Sequence, residues 1–205
     1  MLRHFALLAV ASGLAVGTTT FVSTSEAQAA CEAGKPGSEL SFEEAQAVYE
    51  CLEASMHESY NKGNKRWIPA EYVEDYINWK PASTAPAAPG FHSNRFLYTY
   101  VNDIGWDDYT DYKDEDASVP AGTLIAKTSF SVSDSGEAKP GPLFLMEKVA
   151  EGTSPETGDW YYMMVSASGA PQAVNVMTAC VECHQDAFGF QGGMGYPIEE
   201  VRISK

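Results

Sequence analysis

Arg95-Phe-Leu-Tyr-Thr-Tyr-Val101 is the stretch on which the fold turns. Aromatic and β-branched residues fill it, and such residues suit a pleated, half-buried strand. It rules out an all-helical chain, and the residues downstream agree. Pro120-Ala-Gly122 turns into a second strand, Thr123 to Val132. Asp134-Ser-Gly136 turns again. Leu143 to Val149 and Trp160 to Ser166 read as two more strands, separated by the polar stretch Glu151 to Asp159. Strands spaced this closely predict antiparallel pairing.

Upstream the texture is helical. Ser41 followed by Glu44 has the pattern of a capping box. Phe42, Ala45, Val48, Leu52 and Met56 then recur at helical spacing, predicting an amphipathic helix from Phe42 to Tyr60. Asn61-Lys-Gly-Asn64 stops it. A shorter helix is expected over Ala70 to Asn78, and a short acidic one over Ile104 to Lys113. Pro81 to Gly90 is rich in Pro and Ala and reads as a loop. The expectation is an α+β fold: an antiparallel sheet of about four to five strands with flanking helices.

The first residues read as an address. Arg3 and His4 precede an apolar run from Phe5 to Val16, too short to span a bilayer. Ala27-Gln-Ala29 fits a signal-peptidase site. The chain thus divides into a signal peptide (1–29), an N-terminal segment with the amphipathic helix (30–60) and a C-terminal domain (61–205). The mature protein is expected to be soluble, in an oxidising bacterial periplasm, with no membrane contact after cleavage. The 28 acidic residues outnumber 13 basic ones, for a net charge of −15, which argues against nucleic acid as a partner.

Cys180-Val-Glu-Cys-His184 carries the chemistry. In an exported chain, C-x-x-C-H is the attachment site of a c-type haem. Two thiols a turn apart can each add to one porphyrin vinyl group, and the adjacent imidazole can bind the iron. The prediction is one haem c, covalent through thioethers at Cys180 and Cys183, with His184 as metal ligand. A zinc site, a redox dithiol and a plain disulfide compete, but each leaves something unexplained. Zinc needs a fourth donor, a dithiol belongs after an early strand, and a disulfide gives no role to His184. With the haem thiols assigned, Cys31 and Cys51 remain to pair with each other. Only 21 residues follow His184. Among them, Met194 in the glycine-rich stretch Gly189 to Gly195 is a weak candidate for the sixth ligand. That stretch reads as a flexible cover over a site.

A β-rich domain with a C-terminal C-x-x-C-H resembles the cytochrome P-460 family, including its cytochrome c-prime-beta branch. His92-Ser-Asn-Arg95 leading into Tyr98-Thr-Tyr-Val-Asn102 is similar to the family's first strand. Pro120-Ala-Gly-Thr-Leu-Ile-Ala-Lys127 resembles its P-x-G-T strand ending in lysine. Met146-Glu-Lys148 and Gly158-Asp-Trp160 match the next two strands, and the likeness covers roughly Tyr60 to Phe190. It implies a homodimer and a five-coordinate haem with an open distal side. That haem would meet small nitrogen species: hydroxylamine, oxidised with electrons passed to a redox-partner cytochrome, or nitric oxide, captured without turnover. Plain electron transfer with both axial positions filled is the third reading.

The resemblance also aligns Lys127 with the lysine that crosslinks to the porphyrin in hydroxylamine-oxidising members. On strand alternation Lys127 shares a side with Ile125 and Ser129, and a solvent-facing lysine is the competing reading. Arg95 suits a haem propionate or a distal anion through its planar fork, or an ion pair on the strand surface. Lys127 and Arg95 are therefore the candidate catalytic residues. His92 reads as a ligand, a catalytic group or a hydrogen-bonded loop histidine. Trp160, Tyr161, Tyr162, Phe96 and Phe130 suit a haem pocket or plain core.

Overall fold

The computed structural model describes residues 31–204, so the signal-peptide segment lies outside the described residues. The first helix, α1 (Phe42–Tyr60), begins at Ser41 with both halves of the capping box formed. The Ser41 hydroxyl accepts from the Glu44 amide at 3.3 Å, and the Glu44 carboxylate accepts from the Ser41 amide at 2.8 Å. Its buried face is Ala45, Val48, Tyr49, Leu52, Met56 and Tyr60. A second helix, α2 (Ala70–Asp75), continues as a 3-10 turn to Asn78.

Seven strands form one antiparallel sheet, two or three more than expected. They are β1 (Lys80–Pro81), β2 (Phe96–Val101), β3 (Leu124–Val132), β4 (Ala138–Pro140), β5 (Leu143–Lys148), β6 (Trp160–Val165) and β7 (Pro171–Val174). The order is β1-β2-β3-β5-β6-β7, with β4 pairing β3. The four long strands are those read from the sequence. The extra three are two to four residues long and contain or adjoin proline, so neither length nor alternation announces them. The expected helix over Ile104 to Lys113 shrinks to α3 (Trp106–Tyr109), because Tyr112 takes a left-handed backbone (φ 47°). The last helix is α4 (Glu182–Phe188), entered through a π-helical turn at Met177–Val181.

Alternation gives the sheet two faces. Tyr98 and Tyr100, Ala126 and Phe130, Leu143 and Leu145, and Met163 and Val165 point toward α1 and form one core with it. Tyr49 stacks on Tyr98 at 4.5 Å and shares a 2.7 Å hydroxyl bond with Tyr100, whose hydroxyl donates to Glu53. Phe96 and Phe130 lie in this core, on the face opposite the site. The other face carries Val101, Ile125, Met146, Trp160 and Tyr162, which pack with Val181 and Met194 of the C-terminal segment.

A disulfide joins Cys31 to Cys51 with Cα atoms 5.9 Å apart, tying the start of the described chain to α1 across 20 residues. Replacing both cysteines with serine should cost about 3 kcal/mol, the loop-closure value for a ring of this size. Urea unfolding should register the loss as a lower midpoint. An unchanged midpoint would show that packing alone secures the segment.

Candidate functional site

Pairing register sets a row of side chains across the second face of the sheet. Thr99 opposes Lys127, Lys127 opposes Phe144, Phe144 opposes Met164, and Met164 opposes Ala173. All five residues line a cavity of about 740 Å³ between the sheet and the C-terminal helix. Cys180, Cys183, His184 and Arg95 line it too, so every site residue expected from the sequence meets here. Of the aromatics, Tyr162 reaches the wall, while Trp160 packs behind it.

Lys127 does not face solvent. It is buried, and its amine donates to the Gly195 carbonyl at 2.6 Å. Burial pushes its pKa down to about 8. His184 sits on α4 and donates through Nδ1 to the Gly193 carbonyl at 2.6 Å. That bond fixes the tautomer and leaves the Nε2 lone pair open to a metal. Burial, and then the charge of Lys127, holds His184 near 4, so it is neutral at ordinary pH. Cys180 and Cys183 are free thiols, the first half-buried and the second exposed.

The glycine-rich stretch is a bracket more than a flexible cover. Its carbonyls at Gly192, Gly193 and Gly195 accept from Trp160, His184 and Lys127 respectively. Gly192 and Gly193 have φ of 62° and 76°, a region that favours glycine. A Cβ at Gly192 would also stand 2.4 Å from the Ala117 carbonyl oxygen. Met194 is fully buried in the core behind the cavity and is absent from its wall, so it is no sixth ligand in this arrangement.

Two features escaped the sequence reading. Phe144 was reachable from the parity of β5 but drew no attention. The burial of His92 had no local signal. His92 stacks on Phe144 with ring centres 4.2 Å apart, and its Nδ1 is buried without a hydrogen-bond partner.

Residues 73–189 match the family model for cytochrome P460. The chain belongs to the cytochrome P460 family. No curated protein matches it. Membership implies a haem cofactor, and the cavity can be tested for fit. Its volume lies in the range of cofactor pockets. Its wall is mainly apolar, with Phe91, Phe144, Phe188, Ile125 and Met146 among its residues. Two polar atoms on it, His92 Nδ1 and the Tyr196 hydroxyl, are buried and unpaired. Arg95 and Lys127 stand on the wall, and none of its residues is Asp or Glu. An apolar macrocycle with acidic side chains and an iron that wants imidazole suits this set. The cytochrome P460 reading and the site geometry therefore agree.

The depressed Lys127 pKa has a thermodynamic signature. Between about pH 8 and 10.5 the unfolded chain binds the lysine proton and the folded chain does not. Stability from this group therefore rises with pH across that window. In the haem-free chain, Lys127→Met should remove that rise and add up to about 3 kcal/mol below pH 8. Urea unfolding of both forms at pH 7 and pH 10 measures the difference. Equal pH slopes would mean that Lys127 keeps its charge when buried.

Proposed function

We propose that this chain is an exported c-type cytochrome that carries one haem and oxidises hydroxylamine, passing the electrons to a partner cytochrome. One observation carries the reading: Lys127 is buried in the cavity that also holds Cys180, Cys183 and His184. When bound, haem would supply a redox-active iron able to take up a small nitrogen ligand and exchange electrons with it.

The protein's own groups have separate tasks. Cys180 and Cys183 would hold the porphyrin through thioethers, and the π-helical turn carries Cys180 to the cavity wall. His184 would present Nε2 to the iron while Gly193 holds its other nitrogen. Arg95 offers a fixed cation to a propionate. Lys127 would stand beside the ring as an amine that gives up its proton more readily than an ordinary lysine, because burial lowers its pKa to about 8. The apolar wall excludes bulk water from a reactive ligand.

Export is supported by the N-terminal pattern and by the Cys31–Cys51 disulfide, which suits an oxidising compartment. No described helix is long and apolar enough to cross a membrane. A periplasmic location follows from this reading. The net charge of −15 favours a basic electron acceptor. Nitric oxide capture without turnover is the second reading, favoured by the aromatic side chains on the wall.

The protein, made with a haem-maturation system, should keep one haem through denaturation. Cys180→Ala with Cys183→Ala should release it. Wild type should turn over hydroxylamine with a cytochrome acceptor and show a red-shifted ferrous band from a lysine–porphyrin bond. Lys127→Ala should return the spectrum to that of an ordinary c-type haem and abolish turnover. A native protein with an ordinary spectrum and no turnover, yet tight nitric oxide binding, would favour the second reading.

A further inference from the structure

We infer that the outer face of α4, with the cavity rim beside it, is the docking surface for a basic electron-transfer protein, and that electrons leave the site there. The inference rests on the haem reading above and deepens it by placing the partner.

Exposure is the first argument. α4 turns His184 inward and leaves Glu182, Cys183, Asp186 and Ala187 exposed, at the spacing that puts side chains on one helix face. Cys183, and Ala179 in the preceding π-helical turn, are exposed and also line the cavity. The wall is one residue thick at the point where a thioether would anchor the porphyrin. A partner seated here would come within one side chain of the cavity.

Surface chemistry is the second. Six large hydrophobic side chains are exposed among the described residues, and four of them lie on or beside this face. Met177 is in the π-helical turn, Phe190 follows α4, and Phe91 and Ile198 stand on the cavity wall. The Phe91 ring meets Phe188 of α4 with centres 5.2 Å apart, which joins the rim to the helix. Apolar groups gathered at one exposed place mark an interaction site.

Charge is the third, and it selects the occupant. Glu182 and Asp186 on α4 are exposed, as are Glu199 and Glu200 next to Ile198. Between Lys148 and Arg202 the sequence has seven acidic residues and no Lys or Arg. The rim segment from Ala88 to Asn94 holds none of the four charged residue types. An apolar centre with an acidic rim fits a partner whose apolar patch is ringed by Lys and Arg. A second copy of this chain fits poorly, because a twofold contact would set the acidic rim against itself. Opposite charge also speeds encounter, which suits a partner that docks, takes an electron and leaves. Hydroxylamine supplies the electrons in the reading above. At this face one electron at a time passes from the reduced cofactor to the oxidised partner, with no bond made or broken.

Mitochondrial cytochrome c, a strongly basic electron acceptor, is the probe for this surface. Calorimetry of the haem-loaded protein with the zinc-substituted cytochrome measures docking alone, and stopped flow of the pre-reduced protein with the iron form measures electron transfer. Wild type should bind at low ionic strength and lose affinity as salt is added. Glu182→Lys with Asp186→Lys should keep the haem spectrum, yet weaken binding and slow transfer, each on the order of tenfold. Glu50→Lys with Glu58→Lys, on α1 against the other face of the sheet, changes the net charge equally and should have a much smaller effect. Equal losses from the two pairs, or no salt-sensitive binding by wild type, overturn the inference. So does an α4 pair that dissociates a dimer of this chain, since that assigns the face to a second copy. These outcomes need no hydroxylamine turnover and leave covalent haem in place, so they are distinct from failure of the reading above. Should the α4 pair not take up haem, Phe190→Ser with Glu199→Lys and Glu200→Lys tests the same surface outside the haem motif.

Discussion

The bond from the Lys127 amine to the Gly195 carbonyl ties the middle of the sheet to the C-terminal segment. A lysine in the centre of β3 faces either solvent or something that can hold it. Here its neighbours across the sheet are Thr99 and Phe144, and a cavity stands above it. Burying that amine costs desolvation, which the lowered pKa and a single carbonyl acceptor offset only in part. The cavity is therefore built around a cation that would rather be wet. Something in the completed protein must make that arrangement worthwhile, and an apolar ring with acidic edges does so.

The same segment that receives Lys127 also orients His184. Gly192, Gly193 and Gly195 present successive carbonyls to an indole, an imidazole and an amine. All three take left-handed backbone angles, which glycine adopts without steric cost. Met194, between them, anchors the bracket by burying its side chain in the core. Stability and ligand orientation are thus coupled. Loosening the packing around Met194 or Trp160 would disturb the hydrogen bond that selects the tautomer of His184.

Much of this was legible in the residues because it is local or periodic. The capping box at Ser41, the helix to Tyr60, the four long strands and the C-x-x-C-H motif each carry their own signal. The Cys31–Cys51 pair was legible by elimination. Parity left Lys127 with two possible environments, solvent or cavity. Choosing between them requires knowing what lies above the sheet, and α4 arrives there from 55 residues downstream. The short strands β1, β4 and β7 are products of tertiary pairing. Pro81, Pro140 and Pro171 would have argued against them, and each sits in a short strand where fewer ladder bonds are needed. The glycine-rich stretch looked like a mobile cover because composition shows conformational freedom but cannot show which partners use it up.

Charge gives the last constraint. The chain carries more than two acidic residues for each basic one, yet among the described residues no carboxylate lines the cavity, and Arg95 and Lys127 do. An excess of carboxylates gives the molecule a strongly negative net charge. A carboxylate inside would have formed an ion pair with Lys127, raised its pKa and kept it charged. It would also have competed with a propionate for Arg95. Keeping carboxylates out therefore does two things at once. It leaves Arg95 without a competing carboxylate on the wall, and it lets burial alone set the lowered pKa of Lys127. The histidines follow the same logic. With no carboxylate on the wall beside them, His92 and His184 stay unprotonated across the physiological range, and an imidazole binds a metal only in that state.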